Sequence, residues 1–429
     1  METSTSSRRT FFQNTTAATA GIALLGATAA RAADAAGRKI VVGIMGLGRG
    51  KAHITGYLGV PDVEIAYVCD VDEKRLAEGV GIVEKRQKAP VKGVKDFRRI
   101  LEDKSVDVLS IAAPNFWHTP AAILACQAGK HVYVEKPGSS TAHESQLIVE
   151  AQKKYQRIVQ MGNQRRSYPL IIEAVEKLRA GEIGKVLYSR CFYNAARDTI
   201  GRGKVVPVPA SLDYNLWQGP VQERPYKDNL VHYNWHWMWH WGGGELLNNG
   251  VHALDVSRWG LGVDAPTKVT FSGNRYHYKD DQETPDTGTA TFDFGTCGAS
   301  WEGSSCHPRV PDKLAFVEFF GEKGSLSMTG GNAYTVYDLK GKEIGGNSGP
   351  ASDIPHFTNF IDSIRNGTKL NSPIEEVQKS SLLCHLGNIA YRAGRTIEYD
   401  AVSKNIKGDE GAKMRFWSRD YREGWEPKV

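Results

Sequence analysis

Cysteine is scarce in this chain, six residues in 429, which excludes a fold built on a disulfide framework. Cys69 falls at a strand end, and Cys126 and Cys384 fall in apolar helical patterns where buried thiols are common. Only Cys297 and Cys306 are close together, in a Gly/Ser-rich stretch that admits one disulfide across a hairpin. Long apolar runs are missing too. The one candidate, Ala17–Ala30, is too short and too rich in Ala and Thr for a stable membrane span. No block of like charge stands out: the net charge is +6, of which residues 1–32 hold +2. A nucleic-acid partner therefore has no electrostatic footprint here. What is present is ordinary for a globular protein, 41% hydrophobic and 24% charged residues, and this excludes wholesale disorder. Cores seldom grow past roughly 250–300 residues, so the length implies one large or two ordinary domains.

Residues 7–13 read Ser-Arg-Arg-Thr-Phe-Phe-Gln, then comes the weakly apolar stretch, then Ala30-Arg31-Ala32 with small residues around a cleavage site. This order resembles a twin-arginine export signal, the type that passes proteins already folded. It implies removal of residues 1–32 and a periplasmic location; the alternative is a plain N-terminus with a chance arginine pair.

From Lys39 onward, strand-like and helix-like segments alternate. Lys39–Met45, Val63–Cys69, Val106–Ala112, Lys130–Val134 and Ile158–Met161 read as strands. Asp72–Lys85 and Ala142–Tyr155 read as helices, and Thr119-Pro120 reads as the start of another. That alternation indicates an α/β domain with a doubly wound parallel sheet over residues 38–161. Beyond 162 the rhythm changes to strands joined by short turns, at Val186–Tyr193, Thr267–Tyr276, Thr287–Phe294, Gly298–Ser304, Leu314–Gly321 and Ser325–Thr329. Helices at His356–Arg365 and Ile374–Ala393 close it. An α+β domain with a mostly antiparallel open sheet follows for 162–400, with 401–429 left as a C-terminal extension.

The turn after the first strand reads Gly43-Ile-Met-Gly46-Leu-Gly48-Arg49-Gly50-Lys51. Gly46, Gly48 and Gly50 permit a tight turn and bring backbone N–H groups close to a pyrophosphate at a helix N-terminus. The third glycine arrives one residue early for the strict G-x-G-x-x-G pattern. Asp70 strengthens the signal: 24 residues after Gly46, at the end of the second strand, its carboxylate can accept both adenosine-ribose hydroxyls. The bland reading is a structural turn, with Asp70 capping the next helix. Asp70 would repel a ribose 2′-phosphate, which favours NAD over NADP, while Arg49 and Lys51 keep NADP open.

Ala113-Pro114-Asn115-Phe116-Trp117-His118 and Glu135-Lys136-Pro137 follow successive strands. Downstream lies Gly242-Gly243-Gly244-Glu245-Leu246-Leu247-Asn248-Asn249-Gly250-Val251-His252. With the glycine turn, these segments resemble the glucose–fructose oxidoreductase and inositol dehydrogenase family (Gfo/Idh/MocA) over about residues 38–400. The resemblance implies a Rossmann domain plus an open-sheet domain, with substrate between the sheet face and the nicotinamide. It implies that Lys136 orients substrate and nicotinamide and assists proton transfer, that Glu135 lies near the cofactor, and that a cis bond precedes Pro137. Asn115 and His118 map beside the nicotinamide, His118 with a helix-capping alternative. His252 matches the histidine that hydrogen-bonds the reacting hydroxyl and can act as general base. Asn248 departs from the family, standing where an aspartate is usual; it can hydrogen-bond a hydroxyl but cannot take its proton. Asn163, Arg165 and Tyr168 fall where the substrate pocket opens, although Arg165 and Arg166 also suit a solvated linker. The family forms dimers and tetramers through the open sheet.

Asn234-Trp-His-Trp-Met-Trp-His-Trp241 is unusual. An extended conformation puts four tryptophans on one face; a helical one brings His236 and His240 together as a metal-like pair, but no carboxylate or cysteine nearby completes a metal set. Packing and sugar stacking are equally served by such a face, and its position before the glycines favours contact of Trp237 or His240 with a carbohydrate ring. The expected function is an exported, NAD-dependent oxidoreductase acting on a sugar, glycoside or polyol. The cofactor would be tightly held, since no nicotinamide pool exists outside the cytoplasm. Two other readings are an NAD-dependent glycoside hydrolase and a non-catalytic sugar or nucleotide sensor.

Overall fold

The computed structural model describes residues 39–307 and 314–429; the leader expected at 1–32 lies outside them. The first domain is a six-stranded parallel sheet in the order β3-β2-β1-β4-β5-β6, with β1 at Ile40–Met45, β2 at Val63–Cys69, β3 at Lys92–Val94, β4 at Val108–Ile111, β5 at His131–Val134 and β6 at Val159–Met161. The order reverses between β1 and β4, which opens a crevice at the carboxyl ends of the strands. Alternation along β1 sets its two faces. Ile40, Val42 and Ile44 join a core closed by Phe357, Phe360 and Ile361, while Met45 joins a core closed by Phe116, Trp217 and Trp235. Both outer layers thus include side chains from beyond residue 200.

The second domain is a ten-stranded sheet in the order β14-β13-β12-β11-β7-β10-β9-β8-β15-β16. Its strands are β7 Val186–Asn194, β8 Lys268–Asn274, β9 Thr287–Asp293, β10 Gly298–Ser304, β11 Val317–Gly321, β12 Gly324–Met328, β13 Asn332–Asp338, β14 Glu343–Gly349, β15 Ile397–Asp400 and β16 Asn405–Lys407. Among the described residues of this sheet, only β7 and β10 pair in parallel. The helix Ile374–Ala393 joins the two domains: Ile374 and Val377 sit in the first domain's core, and Leu383, Leu386 and Ala390 in the second's.

Three sequence expectations need correction. The helix placed at Thr119 starts at Asn115, directly after the extended Pro114, so Pro120 lies inside it and forfeits one backbone hydrogen bond. Residues 401–429 are not an appendage: β16 completes the sheet edge, Trp417 is buried in the second core, and Trp425 packs edge-on against Trp117 at 5.1 Å. Cys297 and Cys306 are unpaired, as are the other four cysteines.

Histidines mark the joint between domains. His356 bridges the Ser167 hydroxyl at 2.7 Å and the Met161 carbonyl at 3.0 Å, and His385 meets the Ser139 hydroxyl at 2.9 Å. Burial pushes His356 down to about 4 and His385 to about 3. Below about pH 6.5 the unfolded chain therefore takes up protons that the folded chain refuses, at about 1.4 kcal/mol per histidine per pH unit. The midpoint of thermal unfolding is expected to fall steadily as pH is lowered from 6.5 towards 4, read by calorimetry, and to be flat with respect to these groups above 6.5.

Candidate active site

The crevice is a cavity of about 700 Å³. It starts at Gly46, whose φ of +87° and 2.6 Å approach of an added Cβ to the Ala113 nitrogen leave room for no side chain. Gly48 and Arg49 line the cavity; Gly50 does not. An added Cβ at Gly50 would meet Ile44 at 3.1 Å, so this third glycine packs the helix Gly50–Tyr57 onto β1 instead of facing a ligand. The turn and the helix N-terminus form a cradle suited to a dinucleotide pyrophosphate. Gly46→Ala is expected to weaken NAD binding by at least about tenfold, measured by calorimetry, because the turn must open to admit the methyl group.

Asp70 ends β2 with its carboxylate accepting the Leu47 N–H at 2.7 Å and the Asp72 N–H at 2.9 Å. Burial raises its proton affinity against those hydrogen bonds and the charge of Arg75. The helix cap belongs to Asp72, which accepts from Lys74. His232 reaches Asp72 at 2.8 Å, and Ser211 and Asp213 bond the backbone of Glu73 and Val71. A segment of the second domain thereby covers the Asp70 end of the cavity, where Leu216, Trp217 and His232 join Arg75 and Lys95 in the lining. None of these was legible as a site residue, because a sequence does not say which distant loop returns.

At the other end, Asn115 and His118 line the cavity from the first turn of their helix. The Nε2 of His118 meets the Ala113 carbonyl at 2.9 Å, and burial, against that hydrogen bond, lowers the ring to about 4. Its Nδ1 is buried without a partner among the described residues. Glu135 ends β5 and is held by the His53 ring at 3.0 Å and Arg49 at 3.4 Å. Burial works to protonate it, but the His53 hydrogen bond and the Arg49 and Lys136 charges prevail and keep it ionised. Arg49 continues to Asp353 at 2.7 Å, which also accepts from Tyr168 at 3.0 Å. This ion pair crosses the cavity from the glycine turn to the start of the helix Ile354–Asn366.

Lys136 follows, with a cis peptide bond to Pro137. Its ammonium donates to the Asn248 carbonyl at 2.7 Å and to the Asn248 side-chain oxygen at 2.9 Å. Burial lowers its proton affinity, opposed by Glu135 and Glu245. Asn248 lies in the π-helical turn Leu246–Gly250, which leads into the helix Val251–Leu261 with His252 in its first turn. The His252 ring lines the same cavity with no hydrogen-bond partner among the described residues. Burial, with the charges of Arg165 and Lys136, holds it neutral far below the ordinary histidine range. Arg165 also lines the cavity, its Nε on the Gly330 carbonyl at 2.9 Å and its guanidinium 4.5 Å from the Phe316 ring. Arg166, by contrast, is buried in an ion pair with Asp255 at 2.8 Å, so neither arginine is a solvated linker charge.

Three expected substrate contacts lie elsewhere. Asn163 is buried behind the lining at 1% exposure. Trp237 is buried beneath Arg197, which lies 4.7 Å over its ring. His240 turns to the Gln222 carbonyl at 2.8 Å and faces a different cavity. The aromatic segment forms a short 3₁₀ turn at Asn234–Trp237, neither strand nor helix, so its rings splay. Trp235 and His236 are the two that reach the lining, stacked on each other at 3.6 Å, and burial lowers the His236 ring to about 3. Arg197 was missed by sequence reasoning: it bonds Glu245 at 2.8 Å and the Tyr193 and Tyr233 hydroxyls at 3.1 Å, and all three of Arg197, Tyr193 and Tyr233 line the cavity.

Residues 40–163 match the model of an oxidoreductase family NAD-binding Rossmann fold, and residues 188–427 that of the same family's C-terminal alpha/beta domain. A glycosyl hydrolase family 109 protein of Saccharopolyspora erythraea is 33% identical over 172 residues, covering 35% of this chain and 38% of that protein. The scyllo-inositol 2-dehydrogenase (NAD(+)) of Bacillus subtilis is 28% identical over 289 residues, 66% of this chain and 72% of that one. The solved aldose-aldose oxidoreductase from Caulobacter crescentus, complexed with glycerol, has the same fold at TM-score 0.65 and 19% identity, covering 84% of this chain and 100% of that one. With both halves of the chain matched in order, the protein belongs to the Gfo/Idh/MocA oxidoreductase family.

Proposed function

We propose that the protein is an NAD-dependent oxidoreductase acting on a carbinol of a sugar, glycoside or polyol. The observation that carries this reading is the convergence of the Asn248-held Lys136 ammonium and the unpartnered, neutral His252 ring on the cavity that begins at the glycine turn. Nicotinamide, when bound, supplies the hydride acceptor and donor. Gly46, Gly48 and Arg49 hold the diphosphate, Asp70 the adenosine ribose, and Asn115, His118, Glu135 and Lys136 the nicotinamide end. The substrate hydroxyl lies against His252, which takes its proton as the carbinol loses hydride, and against the third N–H of Lys136, which steadies the oxygen as it becomes a carbonyl. Arg165, Tyr168 and Asn248 contact the remaining hydroxyls. Asp70 beside the ribose selects NAD over NADP.

The twin-arginine leader assigns the protein to the periplasm, which demands a resident, non-exchanging cofactor. Two straps from the second domain suit that retention: the His232 segment over the adenosine end and the Arg49–Asp353 pair across the cavity. The cofactor is then recycled in place by oxidising one sugar and reducing another. A second reading is favoured by the family 109 relative: oxidation, elimination of the aglycone, addition of water across the resulting double bond and re-reduction of the same sugar, giving net glycoside hydrolysis. A homo-oligomer through the outer face of the open sheet completes the proposal.

The test is to denature purified leader-free protein and identify the released nucleotide by mass spectrometry. Near-stoichiometric NAD or NADH is expected. An empty protein that binds NAD weakly would overturn residency and reopen a sensor role. Paired-sugar transfer and chromogenic glycoside cleavage, both without added NAD, then separate the two recycling routes.

A further inference from the structure

Behind the loop that carries Lys136 lies a second cavity of about 460 Å³ that the proposed reaction does not use. Its walls come from Ser140 and Thr141, from the end of the tryptophan-rich segment with the glycines after it, from the helix Ile374–Ala393 and from the chain near 415–420. Four guanidinium groups line it, those of Arg224, Arg392, Arg415 and Arg419. Three carboxylates do so too: Glu223 is paired with Arg422 at 2.7 Å, Glu283 accepts the Trp239 N–H at 2.7 Å, and Asp420 sets one further negative charge against the four guanidinium groups. Neither Arg224 nor Arg415 has an ion pair among the described residues.

The remaining donors are set rather than loose. Arg392 is held between aromatic rings, 5.0 Å from Trp239 and 4.2 Å from Phe416. Arg419 donates from Nη2 to the His240 carbonyl at 3.0 Å, while its Nε is buried without a partner. The Ser140 hydroxyl is buried and unpartnered as well. Buried donors without acceptors are rare in folded proteins and call for a ligand or water to complete them. Guanidinium groups present donors only, in a fork that matches carboxylate or phosphate. Uncharged sugars answer that set poorly, and four guanidinium groups against three carboxylates leave the lining net positive.

We infer that this cavity binds a small oxyanion, a carboxylate or a phosphate on a compact ligand, held by Arg392, Arg415, Arg419 and the Ser140 hydroxyl. The site is distinct from the dinucleotide cavity, yet it touches both segments that hold Lys136. Ser140 lies shortly after Lys136 in the Glu-Lys-Pro loop. Gly243, also in the lining, accepts a hydrogen bond from Asn388 at 2.8 Å and precedes the turn of Asn248. An oxyanion here is thus in a position to act as an effector of the main site.

The test is calorimetric titration of the full-length protein, saturated with NAD so that the dinucleotide cavity is filled. The probes are inorganic phosphate and glucuronate, with glucose as the uncharged control. Saturable binding of at least one anion and none of glucose is expected; phosphate alone or glucuronate alone identifies the source. Arg415→Gln, at an exposed position, and Arg392→Gln should each weaken that binding by about tenfold, the loss of one charge-assisted hydrogen bond, with NAD affinity unchanged. Binding of neither anion above the glucose control overturns the inference, as does anion binding that both variants leave intact.

Discussion

Replacing Lys136 with methionine is expected to lower kcat by roughly 10³-fold, within the range for a positioned proton-transfer group, while the protein folds and still binds NAD. Methionine keeps most of the aliphatic stem, so packing at this buried position changes little. What disappears is the ammonium and its two hydrogen bonds to Asn248. Removing a buried charge relieves its desolvation, which offsets part of the cost of the two stranded Asn248 oxygens. The thermal midpoint should therefore move far less than the rate. A variant within a few-fold of wild type would remove Lys136 from the reaction. Asn248 supplies a graded control. Asn248→Asp places a carboxylate beside the ammonium, raises its proton affinity and moves the alkaline limb of the pH profile upward. Asn248→Ala removes the side-chain acceptor and leaves the ammonium on the backbone carbonyl alone, so it should raise KM modestly along with lowering kcat.

The parallel sheet was legible because five of its six strands are short apolar runs followed by turn chemistry and a helical period, whereas β3, Lys-Gly-Val, carries no such run. Val63–Cys69 and the helices Ala142–Tyr155 and Ile374–Ala393 coincide with their sequence ranges. The helix at Asn115 was misplaced because Thr-Pro is a strong start signal in isolation, whereas the chain context, Pro114 at a strand end, sets the start earlier. Strand β13 alternates buried and half-buried residues and was nonetheless passed over, whereas β14 to β16 escaped notice for a different reason. β14 is glycine-rich and largely exposed, and β15 and β16 are only four and three residues long, so no apolar alternation announces them.

For the site, Asp70 was legible from its place after the second strand, and Glu135, Lys136, Asn248 and His252 from the resemblance of their segments to the family; all five line one cavity. The tryptophan-rich segment shows the limit. Its composition suited both packing and sugar stacking: Trp235 and Trp241 pack against Phe116, and Trp235 shares the cavity lining with His236. Arg197, Tyr193 and Tyr233 carry no motif at all. They meet only because Glu245 anchors Arg197 between the two tyrosines.

His252→Ala is expected to lower kcat/KM for alcohol oxidation by roughly 10²- to 10⁴-fold, the span of general base catalysis, and to change the form of the pH profile. The wild-type ring is buried beside Arg165 and Lys136, which disfavour the imidazolium. It therefore stays neutral well below pH 6.5, and oxidation should hold its rate on the acid side where an ordinary histidine would already be protonated. In the reverse direction the same ring must carry a proton to the carbonyl oxygen, so carbonyl reduction should quicken as pH falls towards the lowered value. The ratio of oxidation to reduction rates thus rises with pH in wild type, and His252→Ala removes the ring's part of that dependence in both directions. His118→Ala is the comparison: that ring is also buried and lowered, but its Nε2 is tied to Ala113, so its loss should alter nicotinamide affinity more than the acid limb. Steady-state rates in both directions from about pH 4 to 8, which brackets the range below about 6.5 where an ordinary and a lowered ring differ, read all of this. If His252→Ala kept the wild-type acid limb, the proton would have to be assigned to another group facing the cavity.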